Sequence, residues 1–173
     1  MSPRSVDDPT APNDRPTVVA LVGPSNAGKT SLVEDLVAAF DDRSVAAIKS
    51  IHHEIEPDEP GTDTHRHRCA GAEAVVGVTP TLTFEIARGG KGADRDAETE
   101  RDALRRVLDR LAGRGHDLVL VEGFSAVVLP TIHLGTDAGS DPHAIGTGSD
   151  SIERLKSAIE ATEPVDPSSL SVR

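Results

Sequence analysis

The chain has 173 residues, enough for one domain with a sizeable core, yet only 2% are aromatic and Trp and Tyr are absent. A formal charge of -11, with lysine only at positions 29, 49, 91 and 156, argues against general binding to nucleic acid, which needs a positive surface. No apolar run approaches the roughly 18 residues of a membrane span, the opening MSPRSVDDPTAPNDRP lacks the apolar stretch of a secretory signal, and Cys69 is the single cysteine, so a cytoplasmic protein without internal disulfides or a membrane partner is the expectation.

Residues 1–15, polar and rich in Pro and Asp, read as a disordered segment. A domain at 16–162 and a polar, patternless tail at 163–173 follow. Thr17–Val22 is rich in β-branched residues and predicts a buried strand; a helix follows from Lys29 to about Phe40, with Leu32, Val33, Leu36 and Val37 on its apolar face. Val45–Ile51 predicts a second strand, HHEIEPDEPG a loop, and Asp63–Cys69 a short helix capped by Thr62 or Asp63. Ala74–Val78 and Leu82–Ala87 read as short strands, and Arg88–Arg95 as a Gly-rich charged loop. Ala97–Leu111 is the clearest amphipathic helix, with Leu104, Val107, Leu108 and Leu111 at helical spacing. Leu118–Val121 is a buried strand running into Glu122-Gly123; Ile132–Leu134 and Ala144–Ile145 are shorter strands, and Ile152–Ala161 is the last helix. Strands alternating with helices imply an α/β fold whose mostly parallel sheet carries helices on both faces.

Between the first strand and helix lies GPSNAGKT, the pattern of a phosphate-binding loop, which makes the fold P-loop NTPase-like. Gly23 and Gly28 let backbone N–H groups converge on phosphate oxygens, because no Cβ intervenes. Lys29 supplies a point charge, Thr30 a hydroxyl for Mg²⁺, and the helix opened there points its positive end at the anion. Asn26, Ala27 and Ser31 complete the nucleotide-binding set. In DLVLVEG, Glu122 follows four apolar residues, where a charge is costly without a role. It is the candidate for the second metal-holding carboxylate, with Thr30, and with Lys29 a catalytic candidate. Asp117, at the opposite end of that strand, is weaker.

Residues 49–69 hold His52, His53, His65 and His67 with Lys49, Arg66, Arg68 and Cys69. Zinc ligation is one reading, but on a helix His65 and Cys69 share a face that His67 does not, and neither CxxC nor HxxxH spacing is present. An anion clamp is the second: strand carboxyl ends form the ligand crevice of α/β sheets, so Lys49, His52 and His53 would face the nucleotide. A solvated polar loop is the third.

The run IKSIHHEIEPDEPGTDTHRHRCAGAEAVV, with the phosphate loop upstream and DLVLVEGF downstream, resembles the family of molybdopterin-guanine dinucleotide biosynthesis protein B, MobB. That family pairs a phosphate loop with a Lys-His-x-His-His strand end, a Pro-Gly-x-Asp-Ser/Thr turn, an Arg-x-Ala-Gly-Ala segment and a Leu-Val-Glu-Gly-Phe strand end. Here these fall on Lys49, His52 and His53; Pro60, Gly61, Asp63 and Thr64; Arg68, Ala70, Gly71 and Ala72; and Val121 to Phe124. Three positions depart from the pattern: Ser50 replaces the first histidine, Ser125 a usual lysine, and TIHLGTD lacks an arginine expected near Gly135.

The resemblance implies a homodimer that binds GTP with Mg²⁺, hydrolyses it slowly, and assists the guanylyltransferase joining GMP to molybdopterin. Molybdopterin is then a further ligand, and Lys49, His52, His53, Asp63, Arg66 and Arg68 the anion or partner contacts. Gly148-Ser149-Asp150 matches an Ala-Ser-Asp-like segment of the family. An Asp150 carboxylate can accept hydrogen bonds from guanine N1 and N2; alternatively, Ser149 or Asp150 caps the final helix. Two competing readings are a metallochaperone GTPase using the histidines, and a small-molecule P-loop kinase with Arg88–Arg95 as its lid.

Overall fold

A computed structural model describes residues 15–92, 96–135 and 139–173. Residues 1–14, most of the segment expected to be disordered, and 93–95 of the charged loop lie outside the described residues. The chain forms two compact units, Met1–Ser50 with Arg95–Arg173, and Ile51–Asp94.

The first unit is built on five parallel strands: β1 (Thr17–Val22), β2 (Val45–Lys49), β5 (Leu118–Glu122), β6 (Thr131–His133) and β7 (Ala144–Thr147), in the order β2-β5-β1-β6-β7. Alternation along β1 and β5 sends side chains to opposite faces. Val19, Leu21, Leu118 and Leu120 pack beneath α1 (Lys29–Ala39) and α4 (Ile152–Glu160) through Leu32, Leu36, Phe40, Leu155 and Ile159. Val18, Ala20, Val119 and Val121 pack on the other face beneath α3 (Ala97–Ala112), through Leu104 and Leu108, together with Phe124, Val127 and Leu129. Each such fully buried Leu or Ile contributes on the order of 1.5–3 kcal/mol. The predicted helices on both faces of a parallel sheet are therefore present.

Several boundaries shift. On α1, Leu32, Leu36 and Phe40 are buried while Val37 is 42% exposed, so the apolar stripe follows a spacing of four. Strand β2 ends at Lys49, two residues before the expected Ile51, which leaves Ser50 at the strand end and His52 and His53 off the sheet. The segment after Glu163, patternless in sequence, packs onto the first unit: Val165 and Leu170 lie against the α3-side core, Val165 N donates to Pro16 O (3.0 Å), and Val172 bridges Val127.

The second unit comprises α2 (Asp63–Cys69) and an antiparallel hairpin of β3 (Ala74–Val78) and β4 (Thr83–Ala87). Thr62 caps α2, its hydroxyl accepting from His65 N at 3.3 Å. Val75 on β3 is buried, whereas Val76, Val78, Leu82 and Phe84 are exposed.

Candidate functional site

The GPSNAGKT loop leaves the carboxyl end of central β1 and opens α1. Asn26 (φ 64°) and Gly28 (φ 89°) are left-handed, the kind of backbone from which anion-binding concavities of N–H groups are built. A Cβ on Gly23 would lie 2.1 Å from Leu134 O, so only glycine fits there. The N-termini of α2, α3 and α4 are capped by the side chains of Thr62, Asp96 and Ser151, whereas α1 begins at Gly28 with no side-chain cap and no acid in its first turn. Its first N–H groups and positive dipole end are thus left for an external anion. Lys29 Nζ arches back over the loop, donating to Gly23 O (2.9 Å) and Pro24 O (2.6 Å).

Register places Glu122 beside Leu21 of β1 and Lys49 of β2, at one edge of the loop. The Glu122 side chain is 14% exposed, and its carboxylate is 3.0 and 3.2 Å from Lys49 Nζ. Thr30 Oγ1 donates to Glu122 Oε2 at 3.3 Å. The two proposed metal donors are thus brought together, and Lys49, expected to face an anion, is engaged by Glu122. Asp117, at the far end of β5, accepts instead from Ser44 N at 3.0 Å. Gly123 (φ 96°) and Phe124 (φ 55°) turn the chain after Glu122, and a Cβ on Gly123 would meet Ser50 Cβ at 2.7 Å. Ser50 is buried in that turn, so its departure from the family's histidine coincides with tight packing against the Glu-Gly-Phe segment.

On the other side of β1, a cleft of about 560 Å³ is lined by Ala27, His133, Leu134, Gly135, Thr147, Gly148 and Ser149. Gly135 lies against the phosphate loop, where a Cβ would come within 3.1 Å of Ala27 Cβ. Neither Ser149 nor Asp150 caps the last helix: Ser151 does, accepting from Arg154 N at 3.3 Å. Asp150 Oδ2 instead accepts from Thr147 N (2.7 Å) and Thr147 Oγ1 (3.3 Å), closing the β7–α4 turn.

Sequence reasoning missed a cluster at the edge of this cleft. His133 Nε2 and Arg173 Nη1 each lie 2.9 Å from Asp141 Oδ2, and His143 N donates to Asp141 Oδ1 at 3.0 Å. The Arg173 guanidinium, reinforced by His143 N–H and His133, holds the Asp141 carboxyl well below the usual range despite its burial. The three residues share no motif or period, so no sequence signal linked them.

The remaining expected contacts, His52, His53, Asp63, Arg66 and Arg68, belong to the second unit. Asp63 and Arg66 are exposed and 3.6 Å apart, an i,i+3 pair on α2. Arg68 is spent on Glu56, whose carboxyl it holds below the ordinary value, and Lys91 Nζ lies 3.3 Å from His52 Nδ1. Cys69 Sγ lies 3.6 Å from His65 Nε2, as the shared helix face predicts. Among the described residues no group of three or more His, Cys, Asp and Glu is placed to hold a metal ion.

Residues 18–153 match the family model for Molybdopterin guanine dinucleotide synthesis protein B, MobB. A relative from Methanocaldococcus jannaschii is 32% identical over 107 residues, which span 62% of this chain but only 40% of that protein's length. The molybdopterin-guanine dinucleotide biosynthesis adapter protein of Escherichia coli is 30% identical over 143 residues, covering 77% of this chain and 78% of its own. The crystal structure of Bacillus subtilis MobB superposes with a TM-score of 0.53 at 21% identity, over 86% of this chain and 75% of that one, a likeness of fold.

Proposed function

The chain belongs to the MobB family, and from that premise we propose that it is a GTP- and Mg²⁺-binding adapter of molybdenum cofactor biosynthesis, acting as a homodimer in the cytoplasm beside the guanylyltransferase that makes the dinucleotide. The observation that carries the nucleotide part is the uncapped start of α1 at Gly28, with Lys29 Nζ arched over the loop. With no side-chain cap and no acid in the first turn of α1, backbone N–H groups and the helix end serve as phosphate ligands beside Lys29. A Cβ at Gly28 would meet nothing within 4 Å, the open face a cradle for anions requires.

Mg²⁺ fits the donor set: Thr30 Oγ1 and the Glu122 carboxylate are hard oxygens, only 3.3 Å apart at the loop's edge. When bound, the ion would neutralise charge on the phosphate oxygens. Lys29 adds a fixed cation, Thr30 and Glu122 orient the donors, and Lys49 steadies Glu122. Any hydrolysis there would rest on positioning and charge from these groups, and slow turnover is part of the adapter reading. The adapter role is supported by the name of the Escherichia coli relative. No helix among the described residues is long and apolar enough to cross a membrane.

The test is copurification with a candidate guanylyltransferase, with and without GTP and Mg²⁺, beside direct GTP titration. Nucleotide-dependent association is expected. GTP binding without any such association would count against the adapter role alone, and absence of binding against the nucleotide reading.

A further inference from the structure

We propose that His133 is a specificity-determining residue whose Nδ1 accepts a hydrogen bond from the nucleoside part of the bound nucleotide, an inference that rests on the nucleotide-binding reading above. The sheet separates two functions around β1. Thr30, Glu122 and Lys49 gather on the β5 and β2 side, whereas the cleft lies at the carboxyl ends of β6 and β7. Ala27 belongs to both loop and cleft. A ligand whose phosphates sit at Gly28–Thr30 therefore passes Ala27 and lays its nucleoside in the cleft. Its volume of about 560 Å³ suits a small organic ligand.

His133 ends β6 and lines that cleft, with its side chain 13% exposed. Its Nε2 is 2.9 Å from Asp141 Oδ2, and Asp141 is 7% exposed and ionised. A carboxylate only accepts, so Nε2 must carry the hydrogen, and in the neutral ring Nδ1 is left as the acceptor. Among the described residues Nδ1 has no hydrogen-bond partner, whereas Nε2 is spent. Arg173 Nη1 lies 2.9 Å from the same Asp141 oxygen, which pins the carboxylate against the ring. What Asp141 does for the imidazole is fix its tautomer and orientation, as carboxylates do for histidines that bind ligands.

Calorimetric titration of the full chain with Mg²⁺·GTP and with Mg²⁺·tripolyphosphate tests this, using the unaltered protein, His133→Phe and His133→Asn. The asparagine carbonyl stands near the place of Nδ1 and keeps an acceptor; phenylalanine keeps the ring and loses it. His133→Phe is expected to weaken GTP roughly tenfold, the worth of one buried hydrogen bond, while His133→Asn recovers most of it. Tripolyphosphate, which has no nucleoside, is expected to bind all three alike. Unchanged GTP affinity in His133→Phe, or equal losses for GTP and tripolyphosphate, would overturn the proposal. No GTP binding by the unaltered protein would instead overturn the nucleotide reading, and this proposal with it.

Discussion

Lys49 Nζ lies 3.0 Å from Glu122 Oε1 across adjacent parallel strands, at one edge of the GPSNAGKT loop. The pair is lopsided in exposure, 55% for the Lys49 side chain against 14% for Glu122. An exposed ammonium contributes little to stability, so Lys49→Ala should change unfolding free energy by less than about 1 kcal/mol in urea titration. Glu122→Gln should likewise fold, yet lose the Mg²⁺-dependent part of GTP affinity, about tenfold, in titrations with and without the ion. A Glu122→Gln protein that keeps its full Mg²⁺ response would remove Glu122 from the metal site.

Asp150 holds the β7–α4 turn through Thr147 N, and an asparagine oxygen can accept that same bond. Asp150→Asn should therefore leave stability nearly unchanged while lowering affinity for GTP far more than for ATP. Competition binding with the two nucleotides checks this, and equal losses would sink the guanine contact.

Asp141 should make the protein acid-sensitive. Its carboxyl is held below the usual value by Arg173, so the unfolded chain binds its proton more readily than the folded one. The stabilisation is then complete above about pH 4, the ordinary range for this group, and is lost as pH falls towards the depressed folded value. Asp141→Asn should cost about 1–3 kcal/mol near neutrality, since it strips Arg173 and His133 of a charged acceptor. Urea unfolding of both proteins across the acid range should show the difference shrinking as pH falls.

Gly23 and Gly28 should behave differently although both lie in the loop. At Gly23 a methyl group meets a backbone oxygen that cannot swing aside, so Gly23→Ala should destabilise by about 3 kcal/mol, the high end of overpacking costs. At Gly28 the space is open, and Gly28→Ala should cost only about 1–2 kcal/mol, for its left-handed backbone. Thermal unfolding ranks them, and GTP titration should show Gly28→Ala weakening binding while folded.

What the sequence disclosed and what it hid follow from how local each feature is. Thr17–Val22 and the loop after it are contiguous, and their pattern alone carried strand, turn and helix. In sequence Ser50 and Ile51 continue the run of strand-compatible residues from Val45, but where β2 stops depends on its parallel partner β5, whose matching stretch ends at Glu122. Val37 fits the apolar spacing of α1 yet faces solvent, because a stripe at i, i+4, i+8 ending in Phe40 buries the helix just as well. His52 and His53 follow Lys49 closely in sequence, but the compact units divide between Ser50 and Ile51. His133, Asp141 and Arg173 meet only through the folded chain, and no periodicity reports that.

The same central strand that carries the phosphate loop is buried from Val18 to Leu21, with β5 on one side and β6 on the other. Its amides should exchange with deuterium only when the whole first unit opens, whereas those of the loop exchange by local excursions. A nucleotide that binds only the folded state raises the free energy of that opening by an amount set by its concentration and affinity. Isotope exchange at Val18 to Leu21, residues remote from the open face of the loop, thereby becomes a gauge of how tightly the loop holds its ligand.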